Sequence, residues 1–99
     1  MIKVMYYSGM NDLIVPTPAT AAFLQKLQWK GASGFKSTNR VLWTHKLPNQ
    51  QVYLNGYAKQ FNNTLSFVQF RNASHAVPFD RPAAAFDMVH RFIENIAFD

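Results

Sequence analysis

The apolar positions of this chain fall into short β-like runs and two helical stretches. Ile2 to Tyr7 is apolar with little polar alternation and closes on Ser8-Gly9. That pattern predicts a strand covered on both faces, as in a parallel sheet, followed by a turn. Residues 10–16 read as a loop. Thr17-Pro18 has the chemistry of a helix N-cap with proline in the first turn, and Ala19 to Trp29 follows at helical spacing with Phe23, Leu24 and Leu27 on one face. Lys26 and Lys30 suit the cation-favouring end of that helix, and Gly31 is placed to terminate it. Residues 31–39, rich in Gly, Ser, Lys and Thr, read as a loop.

Val41, Trp43, His45 and Leu47 then alternate with Leu42, Thr44 and Lys46, which predicts a strand. Pro48-Asn49-Gln50 turns the chain. Gln51 to Phe61 is a second β-run, and Gly56 within it marks a bulge or a close backbone approach. Asn62-Asn63-Thr64 turns again, and Leu65 to Arg71 is the last strand. Ala85, Met88, Val89, Phe92, Ile93 and Ile96 recur with the helical period, with Asp80 as candidate cap and Pro82 in the first turn. The order is β-α-β-β-β-α, an α/β chain without internal repeat or low-complexity tract.

Composition narrows the functional classes. The chain has 99 residues, 48 % apolar and 15 % aromatic, enough for one small core. It holds no cysteine, which excludes disulfides and thiolate metal sites. No apolar run approaches the ~20 residues of a membrane span, and residues 1–7 are too short and too β-like for a signal peptide. The formal charge is +5, but the lysines and arginines are scattered singly, without the stripe that marks a nucleic-acid interface. No His/Asp/Glu group has metal-ligand spacing.

The chemistry sits in two short polar loops, each following an apolar strand. One carries Asp12 and the other His75. In open α/β sheets, reactive groups gather beyond the carboxyl ends of strands. An acid followed later by a histidine is the final part of the Ser, Asp/Glu, His order of the α/β-hydrolases. A triad histidine moves protons between a serine and a leaving group, so it needs a carboxylate to fix its tautomer and a backbone that limits its wandering. Val77-Pro78, just after His75, supplies such a restraint. His45, in an alternating strand, and His90, in a helix, have no comparable setting. A single histidine and a single aspartate are also common as ordinary surface, turn or cap residues, so spacing by itself leaves both readings open.

The segments themselves resemble a known family. "MYYSGMNDLIVP" is similar to the aspartate segment of the serine carboxypeptidases, and "LQWKG" to their Leu-x-Trp-x-Gly stretch. "NGYAKQF" resembles their Gly-Tyr segment, "SHAVPFDRP" their histidine segment and "AAFDMVHRFI" their closing helix. The match runs in order along almost the whole chain, and the segments sit nearest the vitellogenic-like carboxypeptidases. The resemblance implies that residues 1–99 form a single partial domain, the C-terminal part of an α/β-hydrolase fold. It implies removal of C-terminal amino acids from peptides through an acyl-enzyme, with Asp12 as triad acid and His75 as triad base. The family's nucleophile lies upstream in a Gly-x-Ser-x-Gly-type elbow, and Ser8, Ser33, Ser37, Ser66 and Ser74 are in no such setting. The chain alone is therefore expected to be inactive, with the rest of the enzyme as its partner, the peptide C-terminus as substrate and no cofactor. Self-association is a further expectation, through a strand edge left bare.

Three positions depart from the family pattern. Met10 stands where many members are acidic, Ala73-Ser74 where many have glycine before the histidine, and Ala76 where many have methionine after it. The first two bear on loop flexibility and the third on the leaving-group pocket. A non-catalytic remnant or an acyltransferase on the same scaffold stand as the competing readings. Asn62-Asn63-Thr64 and Asn72-Ala73-Ser74 match the N-glycosylation acceptor pattern. Asn62 is the candidate acceptor, since a glycan on Asn72 would crowd His75. The family resemblance places the protein in a lysosomal, vacuolar or secreted setting.

Overall fold

Four strands form one mixed sheet in the order β1-β4-β3-β2, described for residues 2–98 by a computed structural model. The elements are β1 (Val4–Gly9), α1 (Thr17–Lys26), α2 (Ala32–Ser37), β2 (Val41–Lys46), β3 (Val52–Phe61), β4 (Leu65–Phe70), α3 (Val77–Asp80) and α4 (Pro82–Glu94). β1 and β4 are parallel, in register from Val4 opposite Leu65 to Gly9 opposite Phe70. The β2–β3 and β3–β4 pairs are antiparallel.

Strand β4 is the centre of the core because its side chains are buried on both faces. Leu65 and Phe67 point to one side, where they pack with Leu24 of α1 and Phe35 of α2. Val68 and Phe70 point to the other, into a larger cluster with Trp43, Ala58, Val77, Ala84, Ala85, Met88 and Phe98 beneath α3 and α4. Trp43 is fully buried there, edge-on to Phe70 and Phe98 at ring distances of 4.9 and 5.4 Å. Its indole N–H donates to Asp87 Oδ2 at 2.8 Å, which satisfies its one polar atom at the core boundary. The strand expected to be covered on both faces was β1. Its faces are only partly covered, with Val4 and Tyr7 exposed at 41 % and 46 %, and in the described sheet it is one of two edge strands, with β2 the other.

Gly56 marks both a bulge and a close approach. Trp43 pairs with Gly56 and Thr44 with Leu54, so Asn55 is the extra residue of a bulge that bends β3. A Cβ on Gly56 would lie 1.8 Å from the Gln69 carbonyl oxygen of β4. The β3–β4 turn uses Asn62 and Asn63 at φ 50° and 54°, left-handed values that asparagine tolerates better than most residues.

Several local expectations change. Thr17 is the first helical residue and Pro16 the N-cap, while the Thr17 hydroxyl bonds to the Gly9 carbonyl and the Ser8 hydroxyl at 3.0 and 2.8 Å. α1 ends at Lys26, short of Trp29, because Leu27 turns to extended backbone. Gly31 does not close that helix; it precedes α2, a helix in the stretch read as loop. α2 has a single deeply buried side chain, Phe35, under the Lys59 ammonium, and one anchor in six residues leaves no period to read. In α4 the helical period holds as far as Glu94, but the buried positions are Ala84, Ala85 and Met88, whereas Val89 and Ile93 are exposed; Ile96, expected in the same helix, lies beyond its end at the left-handed Asn95 and is also exposed. Asp80 does not cap α4; Arg81 occupies that position, and Asp80 belongs to the short turn before it.

The Gly56 contact carries a stability consequence. Gly56→Ala forces two backbones apart, a form of overpacking that typically costs about 1–3 kcal/mol and sometimes more. Urea unfolding should show a lower midpoint than wild type, and an unchanged midpoint would mean that β3 and β4 separate freely at this point.

Candidate active site

Parallel pairing of β1 and β4 sets the carboxyl ends of the two strands side by side. Their hydrogen bonding continues into the loops: Met10 N–H donates to the Phe70 carbonyl and Asn11 N–H to the Ala73 carbonyl, both at 2.9 Å. Gly9 makes this approach possible. A Cβ there would sit 2.2 Å from the Ser74 carbonyl oxygen and 2.4 Å from that of Ala73. Asn72, at φ 57°, turns the second loop back toward the first. The result places His75 Nδ1 3.0 Å from Asp12 Oδ2.

The two partners sit in unlike environments. Asp12 has its side chain only 6 % exposed, whereas that of His75 is 57 % exposed. The second oxygen of Asp12 accepts the Ile14 and Val15 backbone N–H groups at 2.8 and 3.0 Å, a local turn that fixes the carboxylate plane. The Val15 N–H, followed by His75 and the Ile14 N–H, holds the Asp12 carboxyl below its ordinary value of 3.8 against the opposing effect of burial. An ionised carboxylate only accepts hydrogen bonds, so His75 Nδ1 is the donor and the neutral ring carries its lone pair on Nε2. Among the described residues Nε2 has no hydrogen-bond partner. Asp12 and His75 border a cavity of about 300 Å³ with Tyr7, Ser8, Val15 and Thr20.

The segment after His75 holds the residue that the sequence reading placed wrongly. Pro78 sits in the first turn of α3, and Val77, 1 % exposed, anchors that turn in the core. The Asp80 carboxylate reaches back across it: Oδ2 accepts the Ser74 N–H at 2.8 Å and the Ser74 hydroxyl at 2.6 Å. These bonds, the hydroxyl first, hold the Asp80 carboxyl below its ordinary value. The next residue, Arg81, donates to the Arg71 carbonyl and to Asn55 Oδ1, and its guanidinium lies 5.2 Å from the centre of the Tyr53 ring. Asp80 followed by proline two residues later is an ordinary cap signal, which masked its backward reach.

The remaining candidates lie elsewhere. His45, on β2, is exposed beside the Tyr53 ring, and His90 is exposed on α4. Ser8 and Ser66 are buried, Ser33 and Ser37 lie on α2, and Ser74 is engaged by Asp80. Asn62 is exposed in the β3–β4 turn, at the opposite end of β4 from His75. Among the described residues no group of three His, Cys, Asp or Glu could hold a metal ion, and no helix is long and apolar enough to cross a membrane.

Comparison with known proteins agrees on one family. The profile of the serine carboxypeptidase family matches residues 1–95. A protein named probable serine carboxypeptidase CPVL, from Dictyostelium discoideum, is 38 % identical over 97 residues, covering 98 % of this chain and 19 % of its own length. The venom serine carboxypeptidase of Apis mellifera is 41 % identical over 96 residues, 97 % of this chain and again 19 % of its own length. In three dimensions the chain is similar to Kex1(Δ)p, a prohormone-processing carboxypeptidase from Saccharomyces cerevisiae. The TM-score is 0.81 and the identity 29 %, over 95 % of this chain and 20 % of that one. The chain thus spans about a fifth of the length of the relatives it matches. Its mixed sheet is part of an α/β-hydrolase fold, and the chain belongs to the serine carboxypeptidase family.

Proposed function

We propose that this chain supplies the acid and the base of a serine carboxypeptidase triad, Asp12 and His75, in an enzyme that removes C-terminal amino acids from peptides. The observation that carries the reading is the 3.0 Å contact between His75 Nδ1 and Asp12 Oδ2 at the ends of two parallel strands. Asp12 holds the tautomer, so Nε2 faces outward as a base. A serine on another part of the protein gives its proton to Nε2 as its oxygen attacks the last peptide carbonyl. His75 returns that proton to the departing amine, and the C-terminal amino acid leaves. Water, deprotonated by the same nitrogen, then cleaves the acyl-enzyme and frees the serine. The imidazolium formed in each step is stabilised by the ionised Asp12.

The partner is the portion of the enzyme bearing the nucleophile, with the peptide carboxyl terminus as substrate. One edge of β1 pairs with β4, and among the described residues its other edge has no strand. Ile2, Val4, Tyr6, Leu27 and Trp29 line an apolar hollow of about 410 Å³ beside it. Such an edge is a template for another strand. Residues 1–99 are in this reading a partial domain completed by the rest of the enzyme. A secreted or lysosomal/vacuolar setting is supported by the venom relative and by the exposed Asn62 acceptor.

In the full-length enzyme His75→Ala should lower kcat by on the order of 10⁴- to 10⁶-fold, and Asp12→Asn by roughly 10⁴-fold through the wrong tautomer. His45→Ala and His90→Ala should leave turnover of a blocked dipeptide near wild type. Folded His75→Ala protein with normal kcat would remove the assignment.

The 99-residue chain by itself should not turn over the same dipeptide at acid or neutral pH, and should sediment as an associated species through the bare β1 edge. A monomer at high concentration with a sharp, cooperative melt would contradict the partial-domain reading, and serine-dependent turnover would contradict the division of the triad.

Glycosylation is expected at Asn62, where the β3–β4 turn lies away from the catalytic pair. Protein made in a secretory host should lose an endoglycosidase-sensitive mobility shift on Asn62→Gln and keep it on Asn72→Gln. The reverse pattern would refute the assignment.

A further inference from the structure

We propose that Asp80 is a positioning residue for His75, clasping the backbone on both sides of the base. The inference rests on the reading of His75 as the triad base. The His75 ring is more than half exposed, so packing does not hold it, and its side-chain hydrogen bond to Asp12, the only one among the described residues, fixes a single point. Its remaining orientation must come from the backbone.

Asp80 acts on that backbone from two directions. Its carboxylate accepts the N–H and the hydroxyl of Ser74, the residue before His75, at 2.8 and 2.6 Å. Its own N–H donates to the carbonyl of Ala76, the residue after His75, at 3.1 Å. His75 is thus the middle residue of a three-residue arc whose two ends are both bound to Asp80. The anchor is itself fixed, because Arg81 N–H donates to the Val77 carbonyl at 2.8 Å and Val77 is buried in the core. On the far side of the arc, the Ser74 carbonyl lies against Gly9, at the root of the Asp12 loop. Slack in the arc would therefore change the distance between the two catalytic loops as well as the direction of Nε2.

Both Ser74 bonds end on one oxygen, Oδ2. A neutral amide has such an oxygen, so asparagine can keep the clasp while losing the charge. Alanine loses both. Misplacing a reacting group by about 1 Å costs on the order of 10²-fold in rate. The clasp acts on the base and not on substrate binding, so its loss should appear in kcat and leave KM unchanged.

The test uses the full-length enzyme and a blocked dipeptide substrate. Asp80→Ala should lower kcat by roughly 10- to 100-fold with KM within about twofold of wild type. Asp80→Asn should recover most of that loss. Ser74→Ala, which removes one of the two bonds, should fall between, and adding it to Asp80→Ala should cause no further loss. If Asp80→Ala does not fold, Asp80→Asn and Ser74→Ala still decide the matter. Normal kcat in Asp80→Ala or in Ser74→Ala, or equal impairment of Asp80→Asn and Asp80→Ala, would overturn the inference. His75→Ala, run alongside, separates the two levels: if it stays active, the triad reading itself fails, and if it is inactive, a normal Asp80→Ala overturns only the positioning role.

Discussion

The parallel pairing of β1 with β4 is the contact on which the site depends. Strands that run side by side in one direction deliver their following loops to the same end of the sheet. Here that end is closed by backbone bonds from Met10 to Phe70 at the end of β4 and from Asn11 to Ala73 in the loop, and by Gly9 lying against the Ala73 and Ser74 carbonyls. The chain must make a long crossover between these strands, through α1, α2, β2 and β3. That crossover also builds the two apolar layers that hold β4 in the middle. The core and the Asp12–His75 contact therefore share one cause.

The electrostatics of the pair follow from the unequal burial of its members. Asp12 is shielded yet stays ionised, because two backbone N–H groups and the imidazole replace the water it loses. His75 is left open to approach. Exposure of the ring suits the proposed role of a base, which must reach its reactant, and the backbone on either side of His75 is held by Asp80. The same separation of roles appears farther along, where Asp80 and Arg81 spend their polar groups on the loops near His75 and on Asn55 of the bulge.

The elements with strong periods were legible in the sequence. β2, β3 and β4 alternate or run apolar, and α4 repeats at the helical spacing, so their existence and type were plain. α2 was not, because a six-residue helix with one buried phenylalanine has no period. The exposure of Val89 and Ile93 was also hidden, since periodicity shows that a helix has an apolar face without showing how much of that face meets the sheet. β1 looked doubly covered because apolar content reports what a strand is able to bury, and its place at the edge depends on which strands come to lie beside it.

The site divides in the same way. Residue chemistry and chain order mark Asp12 and His75 as candidates, although either residue type is also common in turns and caps; their 3.0 Å contact is a product of the fold. The spacing of Asp80 from Pro82 suggested a helix cap by an equally local rule. Its partnership with Ser74 needs the turn of α3 to fold back on the histidine loop, and nothing in the spacing encodes that reversal. Legible in the chain itself were the periods of its longer elements and the polar residues that follow its strands, both short-range properties. Decided only by the tertiary structure were the strands at the two edges of the sheet, the covered face of α4 and the loop each carboxylate holds, because these depend on contacts between segments far apart in the chain.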